Sequence, residues 1–376
     1  MALNEYITSI HMHTPYSDGE FSHAQIAEAA MGAGLDCAIV TDHNVWVKGP
    51  EQYYTKEKQK ALVLVGEEVH DAARQPQKNH LLILGTRAEL SPYAGDPQAL
   101  VEAAGQAGAL TFVAHPFEAE VPLFNEPDIS WVDWGVTGFT GIEIWNYMSE
   151  FKGLLTTKAN SLRYVFNPET GINGPYPQTL EKWDELTAAG RRVVAIGGAD
   201  AHGTTYHMGS LKRVVFPYAF LFRQVTTHLL ADTPLSGAYE TDRQLVLGAL
   251  ARGHCFVGYD AAAPTRGFRF TANCDKGNML MGDEIVNRNG VTMQIAVPTY
   301  PGQPRRASGP ARKGTAHVCI RLLRNGVELA QWENQTNITH IVPPLEAGVF
   351  RVEVRLRYQG QMRGWIYSNP FYLRTL

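Results

Sequence analysis

"RVVAIGGADAH", residues 192–202, runs from an apolar segment of strand composition through two glycines into Asp200 and His202. A β run that ends in groups able to ligate a metal is informative because it repeats along the chain. "CAIV" (37–40) runs into Thr41-Asp42-His43, "ALVLVG" (61–66) into Glu67-Glu68, and "ALTFVA" (109–114) into His115. "HLLILG" (80–85) is reversed, with His80 at its start. Helical stretches lie between these runs: "SHAQIAEAAMGAG" (22–34), "DPQALVEAAGQAG" (96–108) and "TLEKWDELTAAG" (179–190). In the first of them Ser22 is placed to cap, with Gln25 three residues on, and Gly32 or Gly34 stops the helix. Short β runs alternating with helices predict parallel strands joined by crossovers, hence an α/β sheet or barrel. In barrels of this kind the C-terminal strand ends form the active face.

"HMHTPYSDG", residues 11–19, adds His11 and His13 with Asp18 close behind. On a strand, positions i and i+2 share a face, so both imidazoles would project together, as two ligands of one ion do. Burying so many carboxylates and imidazoles at one end would be costly unless they were paired or metal-bound. Cysteine is absent from the set, and imidazole with carboxylate suits zinc, manganese or iron. The donors exceed what one ion needs, so two or three divalent ions are expected as cofactors. Ions about 3.5–4 Å apart can brace both oxygens of a displacement at phosphorus.

The totals exclude several classes. A chain of 376 residues predicts one large domain plus a second. A net charge of −4 gives no basic surface for nucleic acid. No run reaches 18 apolar residues, so no membrane span is expected, and "MALNEYITSI" lacks the features of a signal peptide. Cys37, Cys255, Cys274 and Cys319 are scattered without C-x-x-C spacing, which predicts free thiols in a reducing cytoplasm.

From about residue 264 the pattern changes. "FRFTA", "VTMQIAV", "HVCIRLLRNGVELAQ", "ITHIVPP", "GVFRVEVRLRYQG" and "GWIYSNPFYL" alternate apolar with polar residues, and Asn325-Gly326 marks a tight hairpin turn. These features predict a small antiparallel β-sandwich over 263–376 after an α/β domain over 1–262. Residues 146–180, rich in Pro and Gly, predict an irregular insertion with a short helix near "FKGLLTTKANSLRYVF", and the basic stretch 301–314 predicts a solvated loop.

Together "HMHTPYSDG", "VTDHN", "GEEV" followed by "HLLILG", "AHPF" and "GGADAH" resemble the motifs of the PHP family, the polymerase-and-histidinol-phosphatase metal-dependent phosphoesterases. The resemblance spans residues 6 to about 260. It implies a distorted (β/α)7 barrel with its metals at the strand C-termini. Carried over by position, it implies that His11, His13, Glu68 and Asp200 hold one ion, and that Glu68, His80 and His115 hold a second. Asp18, His43 and His202 would hold a third, or bind phosphate. The C-terminal sandwich ending in "GWIYSNPFYL" resembles the CehA/McbA-like branch, which includes proteins that hydrolyse an aryl carbamate.

The expected activity is hydrolysis of a small phosphate ester by a hydroxide on the metals, held by Glu68 and Asp200 with His202 and His43 assisting. Attack on a carbamate, ester or amide carbonyl by the same centre is the alternative, and a metal-binding scaffold without turnover the weaker one. Arg163, Lys158, His207 and Glu143 are the candidates for binding substrate. Asp42 would orient a ligand imidazole or cap its turn, Asn146 would line the pocket, and Trp145 would pack in the core. His23, His70, His228, His254, His317 and His340 fit no ligand pattern. The expected partner is a small-molecule substrate, with no nucleic acid and no membrane. The second region would shape the pocket or mediate a homo-oligomer.

Overall fold

The computed structural model describes residues 3–208, 211–300 and 317–375, and the side chains of residues 207, 208 and 211 also lie outside that description. Seven strands follow one another by hydrogen bonding: Asn4–Ile10, Cys37–Val40, Gln59–Val69, Leu81–Leu84, Leu110–Val113, Gly141–Asn146 and Val194–Gly198. All neighbours are parallel except Leu81–Leu84, which runs antiparallel to both of its partners. A parallel bridge between Met12 and Ala201, with His13 N–H donating to Ala201 O over 2.9 Å, brings the end of the seventh strand back beside the first. Because the fourth strand is reversed, His80 at its start falls at the same end as the C-termini of the others.

The side chains enclosed by these strands decide where the chemistry sits. Leu62 and Leu64, Leu82 and Leu84, and Val194 and Ile196 are buried together with Ile10, Ile39 and Phe112 in one apolar cluster. Side chains alternate along a strand with period two. The face carrying Leu62 and Leu64 therefore continues to Gly66 and Glu68, and the face carrying Val194 and Ile196 continues to Gly198 and Asp200. Val246, Ala249 and Leu250 of the helix Tyr239–Arg252 pack into the same cluster. The outer layer includes the helix His23–Ala33, which has a complete Ser22–Gln25 capping box and ends on Gly34 at φ 82°.

Residues 146–180 differ from the irregular insertion expected. They form helices Tyr147–Gly153 and Lys158–Phe166 and a short 3-10 turn at Pro168–Thr170, and they lead into the helix Pro177–Ala188. The side chains of Asn146 and Thr157 cap the first two, and Pro168 and Pro177 stand at first-turn positions that tolerate proline.

The other edge of Asn4–Ile10 pairs antiparallel with Val225–Ala231, which pairs with Cys255–Tyr259. Cys255–Tyr259 then pairs with Gln361–Ser368, Phe256 opposite Ser368. The boundary expected at 262/263 is thus crossed by a continuous sheet. Asn369 reinforces the junction, accepting from Ala195 N and donating to Ala195 O and Cys255 O. Gly348–Tyr358 and the hairpin Val318–Arg324/Val327–Glu333 extend this sheet, the hairpin turning on Asn325 (φ 51°) and Gly326 (φ 78°). Gly277–Leu280, Arg269–Cys274, Val291–Ala296 and Asn337–Val342 form a separate four-stranded antiparallel sheet. The basic stretch 301–314 lies outside the described residues. Among the described residues no helix is long and apolar enough to cross a membrane.

Candidate metal centre

Glu68 is at the middle of the cluster and fully buried. Its Oε2 lies 3.0 Å from His11 Nε2, 3.4 Å from His13 Nε2 and 3.3 Å from His43 Nδ1; its Oε1 lies 2.8 Å from His80 Nδ1 and 3.0 Å from His115 Nε2. Asp200 Oδ1 lies 3.4 Å from His11 Nε2 and 3.3 Å from His13 Nε2. On the open side, Asp18 Oδ1 is 3.3 Å from His202 Nε2 and Asp18 Oδ2 is 3.7 Å from His43 Nε2. Six separate segments thus deliver donors to one point, and donors from His11, His13 and Asp200, from His11, Glu68 and His115, and from His13, Asp18, His43 and His202 converge as groups within 4.8 Å.

These spacings fit divalent cations. Two donors each about 2.1 Å from one ion stand roughly 3.0–3.4 Å apart at octahedral to tetrahedral angles. Neither ring nitrogen of the buried His13 has a hydrogen-bond partner, and His43 Nδ1, His80 Nε2 and His115 Nδ1 are likewise unpartnered. Buried polar atoms are nearly always satisfied, so an array of bare nitrogens beside carboxylates is chemistry suited to a cation. Electrostatics agree at His13 and Glu68, whereas at His11 and His115 burial is outweighed by the neighbouring carboxylates, which raise both imidazoles, so an ion bound there displaces a proton. Burial and the neighbouring His202 and His43 hold the His13 imidazole down to about 4, so it stays neutral, as a ligand must be. Burial favours the neutral form of Glu68, but His11, His43 and His80 hold its carboxyl well below the usual range, so it stays charged.

Residues 9–93 match the PHP domain. Six of the nine expected ligands fall inside that segment, and His115, Asp200 and His202 lie beyond it. No curated protein matches the chain. Among solved structures, a two-domain protein from Bacteroides vulgatus containing a predicted PHP-like metal-dependent phosphoesterase is 13% identical; the alignment covers 98% of this chain and 95% of that one, with a TM-score of 0.44. A candidate metal-dependent phosphoesterase from Bifidobacterium adolescentis is 15% identical over 54% of this chain and 91% of its own, TM-score 0.32. An amidohydrolase from Chromobacterium violaceum with bound sulfate and no metal is 12% identical over 54% and 92%, TM-score 0.29.

Around the ligand cluster, the backbone is held under strain. His11 (φ 68°), His115 (φ 24°) and Asp200 (φ 51°) all occupy positive φ, where a non-glycine residue costs about 1–3 kcal/mol and persists only if its surroundings enforce it. Asp42 enforces one loop: it accepts from Thr14 N (2.6 Å), Thr14 Oγ1 (2.7 Å) and Ser17 Oγ (2.9 Å) and so fixes the turn leading to Asp18. It bonds none of the ligand imidazoles, and the turn it holds is the one at Thr14–Asp18 and not its own. The Tyr218 hydroxyl lies 2.6 Å from His13 O and 2.8 Å from His202 O, tying two ligand loops together. Glu67 faces away from the cluster, as period two requires, and accepts from Leu90 N.

The residues expected to bind substrate fare differently. Glu143 is 1% exposed, with both carboxylate oxygens engaged by His11, His115 and Asn146, so it faces the ligands and not an incoming molecule. Lys158 and Arg163 are exposed on the helix Lys158–Phe166, and neither side chain bonds any member of the cluster. The His207 side chain lies outside the described residues. Trp145 is core, donating to Glu150 Oε2 over 2.7 Å. His70, assigned no role from sequence, is brought to the cluster: it is buried, stacks on His80 with ring centroids 4.3 Å apart, and groups with His43 and His80. The signal was present, since His70 stands two residues after Glu68, one position past the end of the strand Gln59–Val69, and period two carries it to the same face.

Proposed function

We propose that this chain is a metal-dependent hydrolase whose distorted seven-stranded barrel holds two divalent ions, zinc, manganese or iron, and that it acts on a small phosphate ester. The observation that carries this reading is the placement of Glu68, each of whose oxygens meets imidazoles from different strands. His11, His13 and Asp200 would hold one ion and His80 and His115 the other, with Glu68 shared between them. When bound, such ions lower the pKa of coordinated water and draw charge from a phosphoryl or carbonyl oxygen.

The chain's own groups divide the remaining work. Asp18, His43 and His202 are the most exposed of the nine, with side chains 55%, 23% and 22% accessible, so an incoming substrate meets them first. His202 Nδ1–H donates to Asp200 O over 3.0 Å, which fixes the ring and leaves Nε2 beside Asp18. That orientation suits transfer of a proton to a leaving oxygen. His43 Nε2 stands across from the same carboxylate and would orient a non-bridging oxygen.

One observation favours hydrolysis of a carbamate, ester or amide as the second reading. Among the described residues, no lysine or arginine side chain bonds any of the nine groups, and Lys152, Lys78 and Arg74 are paired with Glu118, Asp128 and Asp133. A neutral substrate needs no such cation. One manganese- or zinc-loaded preparation assayed on p-nitrophenyl phosphate, bis-p-nitrophenyl phosphate and an aryl carbamate separates the two. Turnover of either phosphate above a His11→Ala/His13→Ala control supports the first reading, turnover of the carbamate alone the second, and no turnover overturns both.

A further inference from the structure

We propose that Glu143 and Asn146 are positioning residues that together hold the three strained ligands His11, His115 and Asp200 in ligating geometry. The proposal deepens the metal-dependent reading above and rests on it. Glu143 lies within the strand Gly141–Asn146, at a break in its register, and accepts three hydrogen bonds: Oε1 from His11 Nδ1 (2.9 Å), Oε2 from the His115 backbone N–H (2.8 Å) and from Asn146 Nδ2 (2.9 Å). Asn146 Nδ2 also reaches Asp200 Oδ2 at 3.3 Å. The pair therefore touches each of the three ligands at positive φ, one through its ring, one through its backbone and one through its carboxylate.

The orientation of both side chains is fixed from behind. Asn146 Oδ1 accepts from Ser149 N over 2.9 Å and caps the helix Tyr147–Gly153, so its amide nitrogen must face Glu143 and Asp200. Glu143 has room for its carboxylate only because residue 198 is glycine: a Cβ there would stand 1.8 Å from Glu143 Oε1 and 3.0 Å from His11 Cβ. A carboxylate at Oε1 can only accept, so it keeps the His11 proton on Nδ1 and turns Nε2 toward Glu68 and Asp200. Such outer partners fix tautomer and ring orientation in metal-binding histidines, and losing one typically costs about 10–100-fold in metal affinity.

Glu143→Gln is the decisive variant. Oε2 takes two donors, so the glutamine oxygen settles there and its NH2 faces His11 Nδ1. That nitrogen must then accept, and the proton moves to Nε2, the wrong atom for ligation. The test is long-range 1H–15N NMR of the metal-free protein labelled at histidine, with Mn2+ titration calorimetry of the same samples. The expected result is a His11 Nδ1–H in the wild type that E143Q lacks, with Mn2+ binding about 10–100-fold weaker. Asn146→Ala should weaken Mn2+ binding while keeping that Nδ1–H. An E143Q protein that retains the Nδ1–H and wild-type Mn2+ affinity overturns the proposal. So does a wild type without the Nδ1–H, a result available even if E143Q fails to fold. A wild type that binds no Mn2+, Zn2+ or Fe2+ sinks the metal reading alone, because the Nδ1–H comparison still decides what Glu143 does.

Discussion

Replacing Glu68 with glutamine should abolish the response of this protein's stability to metal. The variant keeps the shape of a fully buried side chain and removes the one charge that meets five imidazoles within 3.4 Å. A ligand at 100 times its Kd stabilises the folded state by about 2.7 kcal/mol, so two ions contribute about 5 kcal/mol. At roughly 2.1 cal/mol/K per residue, a chain of 376 residues has an unfolding entropy of about 0.8 kcal/mol/K. Saturating Mn2+ should therefore raise the wild-type Tm by about 6–7 °C. In E68Q both ions lose their shared carboxylate, and the rise should be under about 1 °C. Without metal, E68Q should itself melt about 4–6 °C below the wild type at pH 7, because breaking a buried ionic arrangement costs about 3–5 kcal/mol. The sign of the pH dependence follows from the carboxyl being held below its ordinary value of 4.5. Its stabilisation is fully present above that value and fades as the pH falls further, so the gap between variant and wild type closes in acid. Differential scanning calorimetry of both proteins with and without Mn2+ provides every one of these quantities. Equal metal-induced rises in the two proteins would refute the reasoning.

Further outcomes can be checked alongside. Asp42→Ala removes the acceptor for three donors around Thr14 and Ser17 and should cost about 3–5 kcal/mol in urea unfolding; a loss under 1 kcal/mol would show that the turn holds itself. Gly198→Ala should displace Glu143 and weaken Mn2+ binding with little change in far-UV circular dichroism. His228, buried between Glu5 (2.7 Å) and Asp260 (3.1 Å), is pulled down by burial but raised above 6.5 on balance by its carboxylate partners. Its stabilisation is fully present below about pH 6.5 and is lost as the pH rises through the elevated folded value. His228→Gln should thus cost about 3–5 kcal/mol at pH 6 and clearly less at pH 9; a cost that grows with pH would reverse the assignment.

The ligands were legible in the sequence for a physical reason. Strand faces repeat every two residues, so an apolar inward face such as Leu62-Leu64 points to Glu68, and Val194-Ile196 points to Asp200, without any knowledge of the fold. His70 obeys the same rule and went unused because it belongs to no motif. Glu143 and Asn146 were legible only as polar residues near the site. Their roles depend on His11 and Asp200, brought to them from 132 and 54 positions away, and no local pattern encodes such a meeting. The same holds for His228, whose partner Glu5 stands 223 positions distant. In 146–180 the prolines read as breakers, whereas Pro168 and Pro177 open helical turns, and Asn146 and Thr157 cap the two helices that precede them. For Lys158 and Arg163, positive charge alone was a poor guide, since most surface cations simply meet water.

The sheet shared across the expected boundary has a practical outcome for anyone who cuts the chain there. Cleaving after residue 262 strips Gln361–Ser368 from Cys255–Tyr259 and bares a row of unsatisfied backbone groups along apolar Phe256 and Val257. The severed front half would be a sticky fragment prone to self-association, so the strands at the far end of the chain serve as a seal on the half that bears the chemistry.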